Sequence, residues 1–170
     1  RERAGIDLLP ADIEIVTGPD GQPIVTGVCV EALGAAPLVS FSHTDGVAAA
    51  VVATADQMQA VGFDIEFVKD RPAGFDEIAF TDHERALIST VSPEHSAEWL
   101  LRCWCAKEAV GKAFGTGMDG GPRSLAIVAI DPSAGWVNVQ SVRNHTVLSA
   151  QTQRVDSLVS ALAVVTRGSP

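Results

Sequence analysis

Apolar and polar residues alternate along Ala11-Asp12-Ile13-Glu14-Ile15-Val16, break at Gly18-Pro19-Asp20-Gly21 and resume at Gln22-Pro23-Ile24-Val25. Alternation on both sides of a Gly/Pro turn predicts a β-hairpin over residues 11–25. Residues 28–33 are a short apolar run that periodicity leaves open between helix and strand. Residues 38–42 and 47–54 are β-branched and apolar, separated by Thr44-Asp45-Gly46, and predict two further strands. In residues 61–68 a strand puts Phe63, Ile65 and Phe67 on one face and Asp64 and Glu66 on the other, so both carboxylates point the same way.

Beyond Arg71-Pro72-Ala73-Gly74 the period lengthens. Residues 75–80 and 81–90 predict short helices, the second opened by Thr81-Asp82-His83-Glu84 as a capping box. Ser92-Pro93-Glu94 reads as an N-cap, a proline at the first helical position and an acid in the first turn. The helix it opens is the longest predicted element and runs to a stop at Gly115-Thr116-Gly117. Trp99, Cys103, Ala106, Val110 and Ala113/Phe114 recur at spacings of three and four and form its apolar stripe. Glu108 and Lys112 lie one turn apart on a neighbouring face. Residues 124–130, 136–142, 146–152 and 158–165 then predict four strands. The class is α+β with antiparallel sheet.

Length and composition narrow the function. A chain of 170 residues, 46% hydrophobic and 19% charged, is one domain-sized globular unit with no apolar run long enough to span a bilayer. Twelve Lys and Arg face 21 Asp and Glu, a formal charge of −9, which excludes a broad electrostatic grip on nucleic acid. Cys29, Cys103 and Cys105 cannot all pair with one another, which fits reduced thiols and a cytoplasmic location. The first residues are Arg1-Glu2-Arg3 rather than Met, and no signal peptide is visible, so a processed or excised chain is expected.

Asp64 and Glu66 from a strand and Glu108 from a helix make an oxygen-only set suited to a hard divalent cation such as Mg²⁺, with Lys112 placed to meet a phosphate. From spacing alone, the same acids also fit charges that solvate exposed faces. Other constellations fail on geometry. Ser42-His43-Asp45 contains the residue types of a hydrolase triad, but Ser42 and His43 are consecutive on a strand and face opposite sides. Cys103 and Cys105, considered with His83 and His95 for zinc, point about 200° apart on a helix. Gly115-Thr116-Gly117-Met118-Asp119-Gly120-Gly121 ends a helix instead of linking a strand to one, so it reads as a C-cap and loop, not a dinucleotide site.

Three segments in order, Ser40-Phe41-Ser42-His43-Thr44-Asp45-Gly46, Val61-Gly62-Phe63-Asp64-Ile65-Glu66 and Trp104-Cys105-Ala106-Lys107-Glu108-Ala109-Val110-Gly111-Lys112, resemble the 4′-phosphopantetheinyl transferase superfamily. Its signature is V-G-x-D-I-E followed by W/F-x-x-K-E-A-x-x-K; every signature position is filled, and 44 residues separate Asp64 from Glu108. The resemblance covers roughly residues 20–131. It implies a Mg²⁺-dependent holo-acyl-carrier-protein synthase. Such an enzyme transfers the phosphopantetheine arm of coenzyme A to a serine of an apo acyl carrier protein and releases adenosine 3′,5′-bisphosphate.

In that reading Asp64, Glu66 and Glu108 hold the metal across the pyrophosphate, and Glu108 is also the candidate general base. Lys112 neutralises charge on the departing phosphate, and Lys107 on the adjacent flank is a second phosphate or carboxylate partner. His43, with Ser42 beside it, matches the contact to the 3′-phosphate of coenzyme A, and Gly21-Gln22-Pro23 matches a turn that lines the adenine. Gln22 stands where the family's turn usually has lysine, which removes one ionic contact.

The resemblance also implies pseudo-repeated halves, residues 1–55 with the hairpin and S-x-S-H segment and residues 56–170 with the metal site, the site lying at a seam between halves or subunits. The 63 residues before Asp64 fall between the compact homotrimeric type and the longer pseudo-symmetric monomer. They fit a domain cut from a polyketide or polyunsaturated-fatty-acid megasynthase, its carrier tethered in the same polypeptide. A local basic patch around Arg85, Arg102 or Arg123 is the alternative way to attract an acidic carrier. The rival class is a docking module for coenzyme A or a carrier protein that has lost turnover.

Overall fold

Strand periodicity and turn chemistry together set the order of elements, and the computed structural model describes residues 7–168 except Gln57, Asp70 and Ser92. The hairpin is β1 (Glu14–Thr17) and β2 (Pro23–Thr26), followed by α1 (Val28–Leu33), the run that periodicity left open. Gly34 ends α1 in the left-handed conformation. Strands β3 (Leu38–Thr44) and β4 (Val47–Ala53) form a second ribbon, closed by Asp45 and Gly46 at positive φ. After β5 (Met58–Phe67) come α2 (Phe75–Ala79), α3 (Asp82–Val91) and the 19-residue α4 (Ser96–Phe114). Four strands complete the chain: β6 (Leu125–Asp131), β7 (Trp136–Ser141), β8 (Val147–Val155) and β9 (Leu158–Thr166).

The described strands make three antiparallel sheets, β1-β2, β3-β4 and β5-β9-β8-β7-β6. The α+β class with a sheet against a long helix is therefore what the chain adopts. The expected N-cap at Ser92 lies outside the described residues. A 3-10 turn over Pro93–His95 precedes α4, which begins at Ser96 rather than at the proline. At α3 the capping box closes as expected: the Thr81 N–H donates to Glu84 Oε2 (2.7 Å) and the Glu84 N–H to Thr81 Oγ1 (3.3 Å).

Helix α4 is buried on more than the predicted stripe. Leu101, Cys105 and Ala109 are enclosed together with Trp99, Cys103 and Val110, because α4 is packed between α3 and the five-stranded sheet. Trp104 meets the Phe75 ring edge-on, with centroids 5.1 Å apart. The helix lies on the sheet face that carries Ala161 and Ala163 of β9, the register partners of Asp64 and Gly62. A Cβ at Gly62 would collide with the Ala109 carbonyl and come within 2.6 Å of the Ala113 nitrogen, so only glycine allows β5 and α4 this close.

Candidate active site

The close approach at Gly62 brings the two distant signature segments together. Lys112 Nζ reaches from α4 to β5 and donates to the Phe63 carbonyl (2.9 Å) and to Asp64 Oδ1 (2.8 Å). Asp64 and Glu66 do share one strand face, but it is the face covered by α4. Asp64 is only 6% exposed, which sets aside its reading as a solvated surface charge, and the part-exposed Glu66 is paired with Arg71. Glu108, half-buried on α4, has its pKa raised above the ordinary carboxylate value by burial and then by the negative field of Asp64; Lys112 opposes this and Glu66 adds to it. Beneath lies the buried Cys105 thiol, pushed well above its usual range by burial and by the same two strand carboxylates.

Strand β3 runs beside the free edge of β5 and meets it through side chains. Ser40, Ser42 and Thr44 alternate along β3 with all three hydroxyls facing inward. The Phe63 N–H donates to Ser40 Oγ (2.9 Å) and the Ile65 N–H to Ser42 Oγ (3.2 Å), which satisfies an otherwise open strand edge. Ser42 Oγ donates to Asp64 Oδ1 (2.8 Å) and Thr44 Oγ1 to Glu66 Oε2 (3.1 Å). Arg71, after β5, also donates to Glu66 Oε2 (3.0 Å). Sequence reasoning missed Ser40, Thr44 and Arg71, although the i, i+2, i+4 run of hydroxyls was a signal for the first two.

A cavity of about 440 Å³ opens beside this seam and is lined by Gly21, Gln22, Pro23, Val61, Lys112 and Gly115 among others. The hairpin turn expected to meet the adenine and the lysine expected to meet phosphate thus share one space, of a size usual for small-molecule sites. His43 is exposed on the other side of β3, in a shallow groove with Phe41 and Ala48. Ser42 faces inward and is engaged by Asp64, so the two neighbours are divided by the strand pleat, as period two requires.

Lys107 requires a correction as a coenzyme-binding residue. Its ammonium is fully buried, pairs with Glu84 (2.7 Å), donates to the carbonyls of Ala79 (2.9 Å) and Pro122 (3.2 Å), and lies 4.7 Å from the Phe80 ring centroid. Its three donors are occupied inside the core, so it serves as a carboxylate partner and not as a phosphate contact. Arg102 likewise belongs to an ion pair with Glu98 (2.8 Å) and stacks over Trp99, which removes it from the suggested basic patch.

The residues suit a divalent cation in donor chemistry. Asp64 Oδ2 is buried with no hydrogen-bond partner, and three carboxylates raise one another's energy unless a positive charge joins them. Among the described residues no group of three or more His, Cys, Asp or Glu side chains is drawn close enough to form a ready-made ligand cluster. Instead, Lys112 and Arg71 each balance one of the strand carboxylates.

A lysine gathered with three carboxylates beside a cavity is the donor chemistry of group transfer at a phosphate. The chain belongs to the 4′-phosphopantetheinyl transferase superfamily, whose family model matches residues 60–163, a span that holds Asp64, Glu66, Glu108 and Lys112. It is therefore a transferase of a family that moves phosphopantetheine to carrier proteins. No curated protein sequence matches the chain. No described helix is long and apolar enough to cross a membrane.

Proposed function

We propose that this protein is a holo-acyl-carrier-protein synthase: it transfers the 4′-phosphopantetheine arm of coenzyme A to a serine of an apo acyl carrier protein and releases adenosine 3′,5′-bisphosphate. The observation that carries the reading is the Lys112 bridge to Asp64, which joins residues of the two signature segments, 48 apart in sequence, at one point in space. The hydroxyls of residues 1–55 that reach carboxylates of residues 56–170 support a single transferase unit with its site at the seam.

In the reaction the carrier serine Oγ attacks the β-phosphorus and the bond from that phosphorus to the bridging oxygen breaks, so the nucleotide leaves with the electron pair. Asp64, Glu66 and Glu108 would hold Mg²⁺, which supplies charge neutralisation at the pyrophosphate. Glu108 accepts the serine proton. Lys112, on the cavity wall, meets charge on the departing phosphate, while Gly21, Gln22 and Pro23 line the nucleotide end. His43, exposed in the separate groove on the other side of β3, is the residue the family resemblance assigns to the 3′-phosphate.

Intact-protein mass spectrometry tests this. An apo carrier incubated with coenzyme A, Mg²⁺ and the protein should gain one phosphopantetheine mass, and the gain should vanish with Glu108→Gln or without metal. A folded protein that binds coenzyme A yet modifies no carrier would instead favour the docking module.

A further inference from the structure

We propose that Ser42 and Thr44 of β3, together with Arg71, are positioning residues that fix one oxygen of each strand carboxylate and leave the other to a divalent cation. The proposal rests on the transferase reading and adds residues outside its signature. On Asp64 one hydroxyl and one cation, Ser42 Oγ and Lys112 Nζ, both fall on Oδ1 at 2.8 Å. Oδ2 of the same group is buried and has no hydrogen-bond partner. Glu66 repeats the arrangement, with Thr44 Oγ1 at 3.1 Å and Arg71 Nη2 at 3.0 Å on the single oxygen Oε2.

A buried carboxylate oxygen without a donor is unfavourable, so the pattern that produces it calls for a ligand that completes it. Neither hydroxyl is free to choose another role. Ser42 also caps the Ile65 N–H, and Thr44 sits in the same inward row, 8% exposed. Arg71 is held over the Phe75 ring, 5.6 Å from its centroid. The N-terminal ribbon thereby sets the orientation of ligands that belong to the other half of the chain. This assigns the Ser42 hydroxyl to Asp64.

The experiment measures Mn²⁺ affinity by electron paramagnetic resonance in the presence of coenzyme A, alongside kcat and KM for coenzyme A. Thr44→Val keeps the shape and removes the hydroxyl; Thr44→Ser restores it; Ser42→Ala and Arg71→Ala extend the series. Thr44→Val and Ser42→Ala should weaken Mn²⁺ about ten- to a hundredfold and lower kcat while KM for coenzyme A holds, and Thr44→Ser should recover most of the loss. If folded Thr44→Val binds Mn²⁺ within about twofold of wild type, or loses only KM for coenzyme A, the proposal is wrong. Should Ser42→Ala fail to fold, the isosteric Thr44 pair still decides. A wild-type protein that binds Mn²⁺ with coenzyme A but transfers nothing overturns the transferase reading alone, because the Mn²⁺ comparison stands without turnover.

Discussion

Lys107 and Lys112 occupy the same helix and the same signature, yet one is a core residue and the other a site residue. What separates them is Glu84, whose Oε1 receives both Lys107 Nζ and the Ile127 N–H (2.8 Å), while Oε2 closes the α3 capping box. Burial alone would raise the Glu84 pKa, but the Lys107 ammonium and the N–H groups of Thr81 and Ile127 outweigh it and hold the group below its ordinary 4.5. A carboxylate depressed in the folded state stabilises fully above its unfolded pKa, and that contribution is lost as pH falls through the folded value. Glu84→Gln should therefore cost about 3–5 kcal/mol at neutral pH, because Lys107 is left buried without its partner. The gap from wild type should close as the pH of urea denaturation is lowered below the usual carboxylate range. A gap that stays constant into acid would show that the charge of Glu84 is irrelevant. Nothing in W-x-x-K-E-A-x-x-K distinguishes the two lysines. The partner lies on another element, so the inward turn of Lys107 was not legible, whereas the carboxylates Asp64 and Glu66 were legible because strand period alone places them together.

Among elements, the contact of β5 with α4 governs the site, and glycine sets it. Gly111 repeats on α4 what Gly62 does on β5: its α-carbon is overlain by Gly117, whose N–H donates to the Gly111 carbonyl (2.9 Å) and folds the C-terminal loop back over the helix. Gly62→Ala would drive a methyl group into helix backbone, which cannot swing aside as a side chain would. A destabilisation at or above the ~3 kcal/mol upper end of ordinary overpacking is expected, with loss of transfer activity as Lys112 leaves Asp64. Denaturant midpoints of Gly62→Ala and wild type check it, and an unchanged midpoint would mean that β5 and α4 do not meet as described. Strands and helices were legible here because alternation, turn residues and the Thr81 box each specify local backbone. The neighbour relations were not. Period two identifies β3 as a strand but cannot say that its polar face, Ser40, Ser42 and Thr44, lies against the edge of β5, and helical period gives one stripe of α4 whereas packing on two sides buries more.

At the scale of the whole molecule, net charge sets the field that a carrier protein would meet. The chain carries a formal −9, Lys69 and Arg71 are matched by Asp45 and Glu66, and Arg85, on α3, is matched by Asp82. Arg123 donates to the Glu77 backbone carbonyl, which leaves its charge unneutralised by that contact, but one guanidinium is a small counterweight to the net field. Carrier proteins of the family are themselves usually acidic, so a free carrier meets like charge on approach, and a carrier tethered in the same polypeptide gains the effective concentration to overcome it. Raising salt shortens the range of that repulsion to about 8 Å near physiological ionic strength. Added as a separate protein, an acidic apo carrier should therefore show a KM that falls as NaCl is raised, by a factor of order ten between low and physiological salt. KM for coenzyme A, measured in the same series, separates this effect from salt acting on the cavity. A carrier KM that rises with salt would place an attractive basic surface on the approach path and remove the electrostatic reason for a tether.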